Sequence, residues 1–203
     1  MRKIRRTSLR RDEPPERTVR AGHRAGEIIS TIRAVARKSA PEMTRFDINA
    51  AITDVLALTR SELQRHNVSL ETELSGGLEP ILGDRSQIQQ VLLNLIVNGI
   101  EAMTSGVHDP RTLRLSSQMA GPGNVLIAVA DTGTGLDRTK ADHIFDAFFT
   151  TKPEGIGMGL SICRSIVEAH GGRLWAASTS PRGSTFQFTV PAAANDTATD
   201  NAG

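Results

Sequence analysis

Two asparagines and a glutamate share one stripe of an otherwise apolar helix. Asn94 and Asn98 are spaced i, i+4 within residues 91–100, and Glu101 follows at i+7 from Asn94. All three therefore lie on one side of the helix. Because a buried carboxamide needs hydrogen-bonding partners, this stripe either caps neighbouring backbone or faces a polar cavity. An asparagine oxygen suits Mg²⁺ beside phosphate oxygens, but the spacing alone leaves both interpretations open.

A second candidate group follows a run of apolar residues. Residues 125–130 predict a strand, and Asp131 stands at its end, ahead of Gly133 and Gly135. Glycines permit a tight turn and a close approach of a ligand to the backbone. A buried carboxylate here requires a donor, such as the exocyclic amine of a purine. Asp and Gly are also the usual residues of a strand-end turn, so a purely structural interpretation stays open.

A glycine-rich loop forms the third candidate. Gly155, Gly157 and Gly159 alternate with other residues ahead of a predicted helix. Bare backbone N–H groups at a helix N-terminus favour an anion. The loop matches neither the P-loop nor the dinucleotide-binding glycine pattern, and alone it is weak evidence.

Taken in order, these segments resemble the sequence boxes of histidine kinase ATP-binding domains. Those domains belong to the ATPase superfamily shared with DNA gyrase B, MutL and heat-shock chaperones. The resemblance covers about residues 20–190. Each motif alone is weak evidence for the family, and the resemblance is specific because the motifs occur together in the family's order. The boxes are Asn94 with Asn98; Asp131, Gly133 and Gly135; residues 144–149; Gly157, Gly159 and Leu160; and residues 183–186.

The resemblance implies an ATP-binding catalytic domain of a two-component sensor histidine kinase, which transfers the ATP γ-phosphate to a histidine. Asn98 would coordinate Mg²⁺, and Asn94 would orient it or contact phosphate. Asp131 would accept a hydrogen bond from the adenine amine. Gly133 would belong to the turn beside the base, and Gly135 and Thr185 would line the base.

Residues 137–158 correspond to the mobile lid over the nucleotide in this family. Phe145 and Phe148 would fix that lid by packing. Lys152 would meet the triphosphate, although a solvated loop lysine is an equally simple interpretation of that residue. The backbone amides of Gly157, Gly159 and Leu160 would also bind phosphate.

Two other function classes deserve comparison. ATP hydrolases and ATP-driven clamps of the superfamily carry a Glu four residues before the metal-binding Asn, where it activates water. Here that position is Asn94, and a carboxamide cannot act as a general base. A non-catalytic nucleotide-binding regulatory module is the remaining alternative.

The elements that must position these residues are mixed. Hydrophobic periodicity predicts helices over about 49–65, 84–104 and 159–170, with Asp84 or Ser86 as a cap. Strands are predicted over 45–48, 68–74, 112–118, 125–130, 173–178 and 184–190. This pattern predicts an α/β fold: a two-layer sandwich whose mixed, mainly antiparallel sheet is covered by helices, as in the Bergerat-type ATP-binding fold.

The flanking segments differ in composition from this body. Residues 1–40 carry 12 Lys and Arg against 4 Asp and Glu, whereas the remaining 163 carry 12 against 18. We expect a disordered basic head over 1–17, a remnant dimerisation helix over 18–40, the catalytic domain over 44–190 and a disordered tail over 191–203. The head contains no aromatic residue to stack on bases, so we expect no nucleic-acid partner.

Residues 20–38 resemble the second helix of the family's phosphoacceptor hairpin, and the first helix, which bears the acceptor histidine, is missing. None of the five histidines fits that acceptor. We therefore expect an acceptor hairpin supplied in trans or upstream, a response regulator as partner and at most a weak homodimer. With one cysteine, no secretory signal and no apolar run of membrane-spanning length, a cytoplasmic location is expected.

Overall fold

The structure is a computed structural model that describes residues 42–105, 110–137, 143–150, 155–179 and 182–193. All of them lie in one unit, Ser39–Gly203, of the two into which the chain divides. The predicted basic head and the predicted helix over 18–40 fall outside the described residues, as do Lys152 and most of the predicted tail.

Three helices are present in the described part of the chain. They are α1 (Ile48–Arg65), α2 (Arg85–Thr104) and α3 (Gly159–Ala169). Side-chain oxygens of Asp47 and Asp84 accept hydrogen bonds from the first-turn amides of α1 and α2, which satisfies donors that a helix leaves unpaired at its start. Asp84, rather than Ser86, is therefore the cap of α2.

The main sheet contains five strands. They are β2 (Ser69–Leu74), β4 (Thr112–Met119), β5 (Asn124–Asp131), β6 (Arg173–Ser178) and β7 (Ser184–Pro191), arranged in the order β2-β4-β5-β7-β6. β2 pairs with β4 in parallel, and the three other pairs are antiparallel. The predicted α/β fold with a mixed, mainly antiparallel sheet is confirmed.

The helices cover one face of this sheet. Buried and half-buried residues alternate along β5 and β7, as expected when side chains point to opposite faces in turn. The buried set packs with α2 and α3 in one core. This face includes Val125, Ile127, Val129 and Asp131 from β5, and Ser184, Phe186, Phe188 and Val190 from β7.

A short ribbon lies beside the main sheet. β1 (Thr44–Phe46) pairs antiparallel with β3 (Ile81–Gly83), and β3 was not predicted because three residues carry too little alternation to identify a strand. Ile81 also forms a bridge with Ala192, and the Ala193 amide donates to the Pro80 carbonyl. The prediction of a disordered tail from residue 191 is therefore wrong for residues 191–193, which hydrogen-bond to the body.

No helix among the described residues is long and apolar enough to cross a membrane. The longest, α2, has 20 residues but includes Arg85, Glu101 and several carboxamides.

Candidate functional site

Asp131 is a carboxylate buried at the end of β5. It is only 4% exposed, and its Oδ1 accepts a hydrogen bond from the Gly133 amide at 2.8 Å. Burial raises the pKa of the Asp131 carboxyl above its ordinary value, and hydrogen bonds from Gly133 and Ser184 partly offset that rise. A buried acid that keeps so little contact with water has a strong need for a further donor, which a ligand can supply.

The turns around Asp131 contain glycines because backbones approach one another there. A Cβ on Gly133 would stand 2.7 Å from the Ala102 carbonyl oxygen of α2. Gly183 has a φ of +104°, and a Cβ there would overlap the Asp131 carbonyl oxygen; Gly135, with a φ of +80°, faces Gly183 in turn, since its Cβ would lie 3.2 Å from the Gly183 oxygen. The structure thus brings two of the predicted boxes, Gly133 with Gly135 and residues 183–186, together around Asp131.

Ser184, which the sequence analysis did not single out, is the β7 residue that faces Asp131. The two residues are partners in the strand register, and Ser184 hydrogen-bonds to the carboxylate through both backbone and side chain. Thr185 points to the opposite face of the sheet, where its hydroxyl lies 3.0 Å from that of Thr179. The Thr185 side chain therefore faces away from Asp131, because successive strand residues face opposite sides, and the predicted contact of Thr185 with the base is left to its backbone.

Helix α2 passes close to Asp131 at Gly99. A Cβ on Gly99 would be 3.4 Å from the Asp131 Cβ and 2.8 Å from the Leu113 Cδ1. Asn98 is the residue just before Gly99. Asn94 lies one turn nearer to the start of α2, at a rise of about 1.5 Å per residue. Both asparagines are half-buried, so their carboxamides border a surface that solvent and ligands can reach.

The N-terminus of α3 differs from those of α1 and α2, because no side chain caps it. A Cβ on Gly159, the first residue of α3, would meet no atom of the other described residues within 4 Å, apart from its chain neighbours and the backbone of its own helix. Packing within the described residues therefore gives no reason for glycine at this position. One turn later Cys163 is fully buried, and its sulfur accepts a hydrogen bond from Asn94 Nδ2 at 3.6 Å.

The phenylalanine segment contacts the rest of the body through Phe145. Its ring meets the ring of Phe186 edge-on at 6.5 Å between centroids, and the Arg164 guanidinium lies 5.4 Å from its centroid. Phe148, by contrast, is 71% exposed and has a φ of +69°. The expectation that Phe148 fixes the segment by packing is wrong; the half-buried Phe149 packs against the core instead.

Part of the predicted site lies outside the described residues. These are residues 138–142 and 151–154 of the predicted lid, which include Lys152. Within the described ranges, no group of three His, Cys, Asp or Glu side chains is arranged to hold a metal ion. Asn94 and Asn98 carry carboxamide oxygens, a hard ligand type of the kind that binds Mg²⁺.

Two of the missed residues carried different signals. Ser184 has the same strand parity as Phe186 and Phe188, so alternation alone could have placed it on the buried face. Cys163 is a fully buried core residue, and its hydrogen bond to Asn94 joins residues 69 positions apart in sequence. No local pattern indicates such a contact.

Comparison with known proteins identifies the family of this chain. Residues 83–194 match the family described as histidine kinase-, DNA gyrase B- and HSP90-like ATPase. The chain is 40% identical over 168 residues to the sensor protein TdiS of Thauera aromatica, covering 82% of this chain and 31% of TdiS. It is also 40% identical over 178 residues to the sensor protein FixL of Bradyrhizobium diazoefficiens, covering 88% of this chain and 35% of FixL. The chain thus spans about a third of the length of these relatives.

Solved structures agree. The catalytic domain of the histidine kinase ThkA superposes with a TM-score of 0.66 at 33% identity, covering 74% of this chain and 96% of that one. ThkA in complex with the response regulator TrrA superposes with a TM-score of 0.71 at 28% identity, covering 86% and 49%. The family match, the relatives and the site together lead to one conclusion: the chain belongs to the histidine kinase-, DNA gyrase B- and HSP90-like ATPase family and contains the ATP-binding domain of sensor histidine kinases.

Proposed function

We propose that this chain binds ATP with Mg²⁺ and delivers the γ-phosphate to a histidine on an acceptor hairpin. The observation that carries the proposal is a row of groups along α2. Asp131 lies beside Gly99, Asn98 comes next, Asn94 lies one turn further, and the uncapped N-terminus of α3 is reached through Cys163. That order suits a nucleotide whose base, metal and phosphates follow one another.

At the base end, Asp131 accepts a hydrogen bond from the adenine amine. The carboxylate is held by the Gly133 amide and by Ser184, so its remaining lone pairs are oriented before the ligand arrives. Gly133, Gly135 and Gly183 keep side chains away from this end of the pocket. Thr185 contributes through its backbone at most, since its side chain bonds to Thr179 on the other face.

At the phosphate end, Asn98 supplies a carboxamide oxygen to Mg²⁺, and Asn94 orients the metal–phosphate unit. The ion neutralises phosphate charge when bound. The amides at the start of α3, Gly159 and Leu160, and the Gly157 amide offer backbone donors to phosphate oxygens, and Lys152 adds a positive charge. Phe145 and Phe148 belong to the segment that closes over the nucleotide.

Transfer to a histidine is favoured over hydrolysis. A hydrolase of this superfamily needs a general base to activate water, and the corresponding position here is Asn94, a carboxamide that cannot take a proton. The half-buried Asn94 donates its N–H to Cys163, so it is held as a neutral hydrogen-bonding group. The non-catalytic regulatory module remains the competing function, and only a transfer assay separates it.

The partners follow from the same proposal. The structure of ThkA was solved with a response regulator, and we infer that this chain acts on a histidine that supplies such a regulator with phosphate in the cytoplasm. The acceptor hairpin is provided in trans or by residues upstream, and self-association through residues 18–40 is weak.

Calorimetric titration and a transfer assay test the proposal. ATP should bind the wild-type chain more tightly with Mg²⁺ than with EDTA, and Asn98→Ala should remove most of that difference. With γ-labelled ATP and a separate acceptor hairpin, an acid-labile, base-stable label should appear on the hairpin histidine. Binding without transfer to any hairpin would favour the regulatory module, and absence of binding would refute the whole proposal.

A further inference from the structure

Cys163 is a fully buried side chain next to the candidate phosphate end. It lies on α3 one turn after Gly159. Its sulfur lies 3.6 Å from Asn94 Nδ2, which donates to it, and 4.0 Å from the Val91 carbonyl oxygen, to which the thiol donates. One thiol therefore contacts α2 at two points a single turn apart, and one of them is a carboxamide of the site.

The thiol keeps its proton under ordinary conditions. Burial raises the pKa of Cys163 to about 12, so the group is a neutral S–H with one donor and a lone-pair acceptor. It is unsuited to act as a nucleophile, since the thiolate is the reactive form. What it offers is a fixed partner for the NH₂ group of Asn94.

The consequence for Asn94 is directional. A carboxamide carries its donors on Nδ2 and its acceptor on Oδ1. The two atoms lie in one plane and point in different directions. With Nδ2 bound to the sulfur, Oδ1 is the end left for the open side of α2, where Asn98 also lies. Rotating the amide would turn the donor end outward and place Oδ1 at the sulfur, where the thiol could donate to it only by giving up its hydrogen bond to the Val91 carbonyl.

We propose that Cys163 is a positioning residue that holds the Asn94 carboxamide with Oδ1 directed at the Mg²⁺–phosphate end of the site. This inference rests on the proposed function, because it specifies how one of its residues is oriented. It also makes α3 a structural link between two boxes. The start of α3 offers backbone donors to phosphate, and Cys163 in its second turn holds Asn94 of α2.

The contact itself can be tested without nucleotide. In ligand-free, isotope-labelled protein, the side-chain amide signals of Asn94 should shift in Cys163→Ala and their protons should exchange faster with solvent. Cys163→Ser, which restores a neutral donor and acceptor, should recover most of the wild-type exchange rate. Unchanged Asn94 side-chain signals in Cys163→Ala would overturn the contact.

The consequence is tested by ATP titration with and without Mg²⁺. Cys163→Ala should weaken Mg²⁺-ATP binding about three- to tenfold, the scale of one net hydrogen bond, and leave Mg²⁺-free binding unchanged. Cys163→Ser should stay within about twofold of wild type in both conditions. Val167→Ala is the matched control: Val167 is fully buried on the same helix, and truncating it lowers stability without altering the Mg²⁺ dependence.

A double-mutant cycle separates positioning from general damage. In an Asn94→Ala background, Cys163→Ala should have no further effect on Mg²⁺-ATP binding. A loss that persists in that background, or that appears equally without Mg²⁺ or in Val167→Ala, would overturn the positioning role. If the wild-type chain binds ATP normally and Cys163→Ala does too, only this inference fails; if the wild-type chain does not bind ATP, the proposed function fails first.

Discussion

Phe148 and Gly157 are joined by a backbone hydrogen bond of 2.9 Å, from the Phe148 amide to the Gly157 carbonyl. Both residues have positive φ, +69° and +72°, which is uncommon for a phenylalanine. A Cβ on Gly157 would stand 2.6 Å from the Phe148 carbonyl carbon and 2.7 Å from the Phe149 oxygen. The phenylalanine segment and the glycine loop therefore pack backbone to backbone, and only glycine fits on the loop side.

Gly157→Ala should loosen this contact. The new methyl group meets rigid backbone rather than a flexible side chain, and the positive φ adds strain. We expect a loss of about 1–3 kcal/mol in the free energy of unfolding and weaker ATP binding, measured by urea unfolding and calorimetry.

Gly159→Ala is the matched variant two residues later. Among the residues that the structure describes, and apart from the chain neighbours and its own helix backbone, no atom lies within 4 Å of a Cβ at Gly159, and alanine is the better helix former by about 1 kcal/mol. Stability should be unchanged or higher, whereas ATP affinity should fall because the methyl group occupies space that phosphate needs. Wild-type ATP affinity in Gly159→Ala would argue against phosphate at the start of α3.

Asp131→Asn should separate folding from binding. The raised pKa of Asp131 means that the fold favours its protonated form, so its stabilising contribution is present below the unfolded pKa and is lost as pH rises through the folded pKa. Relative to wild type, Asp131→Asn should gain stability as the pH rises from about 4 towards neutral. ATP affinity should nevertheless fall by about 1.5–3 kcal/mol, the scale of a hydrogen bond to a charged group.

Urea unfolding across this pH range and calorimetric titration at neutral pH give the two readouts. A stability difference between Asp131→Asn and wild type that is independent of pH would contradict the buried, proton-favouring carboxylate. Unchanged ATP affinity would remove Asp131 from the base-binding role.

Ser184→Ala and Thr185→Ala form a pair of neighbouring substitutions on opposite faces of β7. Ser184 hydrogen-bonds to Asp131, so losing its hydroxyl should lower ATP affinity about three- to tenfold. Thr185 bonds to Thr179 on the outer face, and Thr185→Ala should leave affinity within about twofold. Calorimetric titration of both variants decides the assignment, and the reverse order of effects would restore Thr185 to the pocket.

The sequence predicted the site best where chemistry coincides with a regular element. Asn94 and Asn98 were placed on the correct helix, and Asp131 at the correct strand end, because periodicity fixes both positions. The prediction that Phe148 is packed was wrong because no hydrophobic period applies in an irregular segment. Sequence alone cannot tell which of two adjacent phenylalanines is buried. Strand β3 was not predicted because its partner β1 lies some 37 positions earlier in the chain. Thr44 pairs with Gly83, and Phe46 pairs with Ile81.

His170 provides the last prediction. It is 5% exposed, its Nε2 accepts a hydrogen bond from the Asp84 amide at 3.0 Å, and its Nδ1 donates to the Ile166 carbonyl at 2.7 Å. The ring therefore joins the C-terminal end of α3 to the cap of α2. With both nitrogens occupied inside the protein, it cannot serve as the phosphoacceptor of the folded chain.

His170→Leu should leave the buried Asp84 amide without its acceptor and cost about 1–3 kcal/mol in the free energy of unfolding. His170→Gln places a side-chain oxygen near the position of Nε2, so it should recover part of that loss. Urea unfolding of the three proteins measures the order wild type, Gln, Leu. Gln retains an acceptor, but neither Gln nor Leu reproduces the flat imidazole that packs against Gly83. Equal destabilisation by the two substitutions would therefore mean that the volume and shape of the ring, rather than its hydrogen bond to Asp84, hold the two helices together.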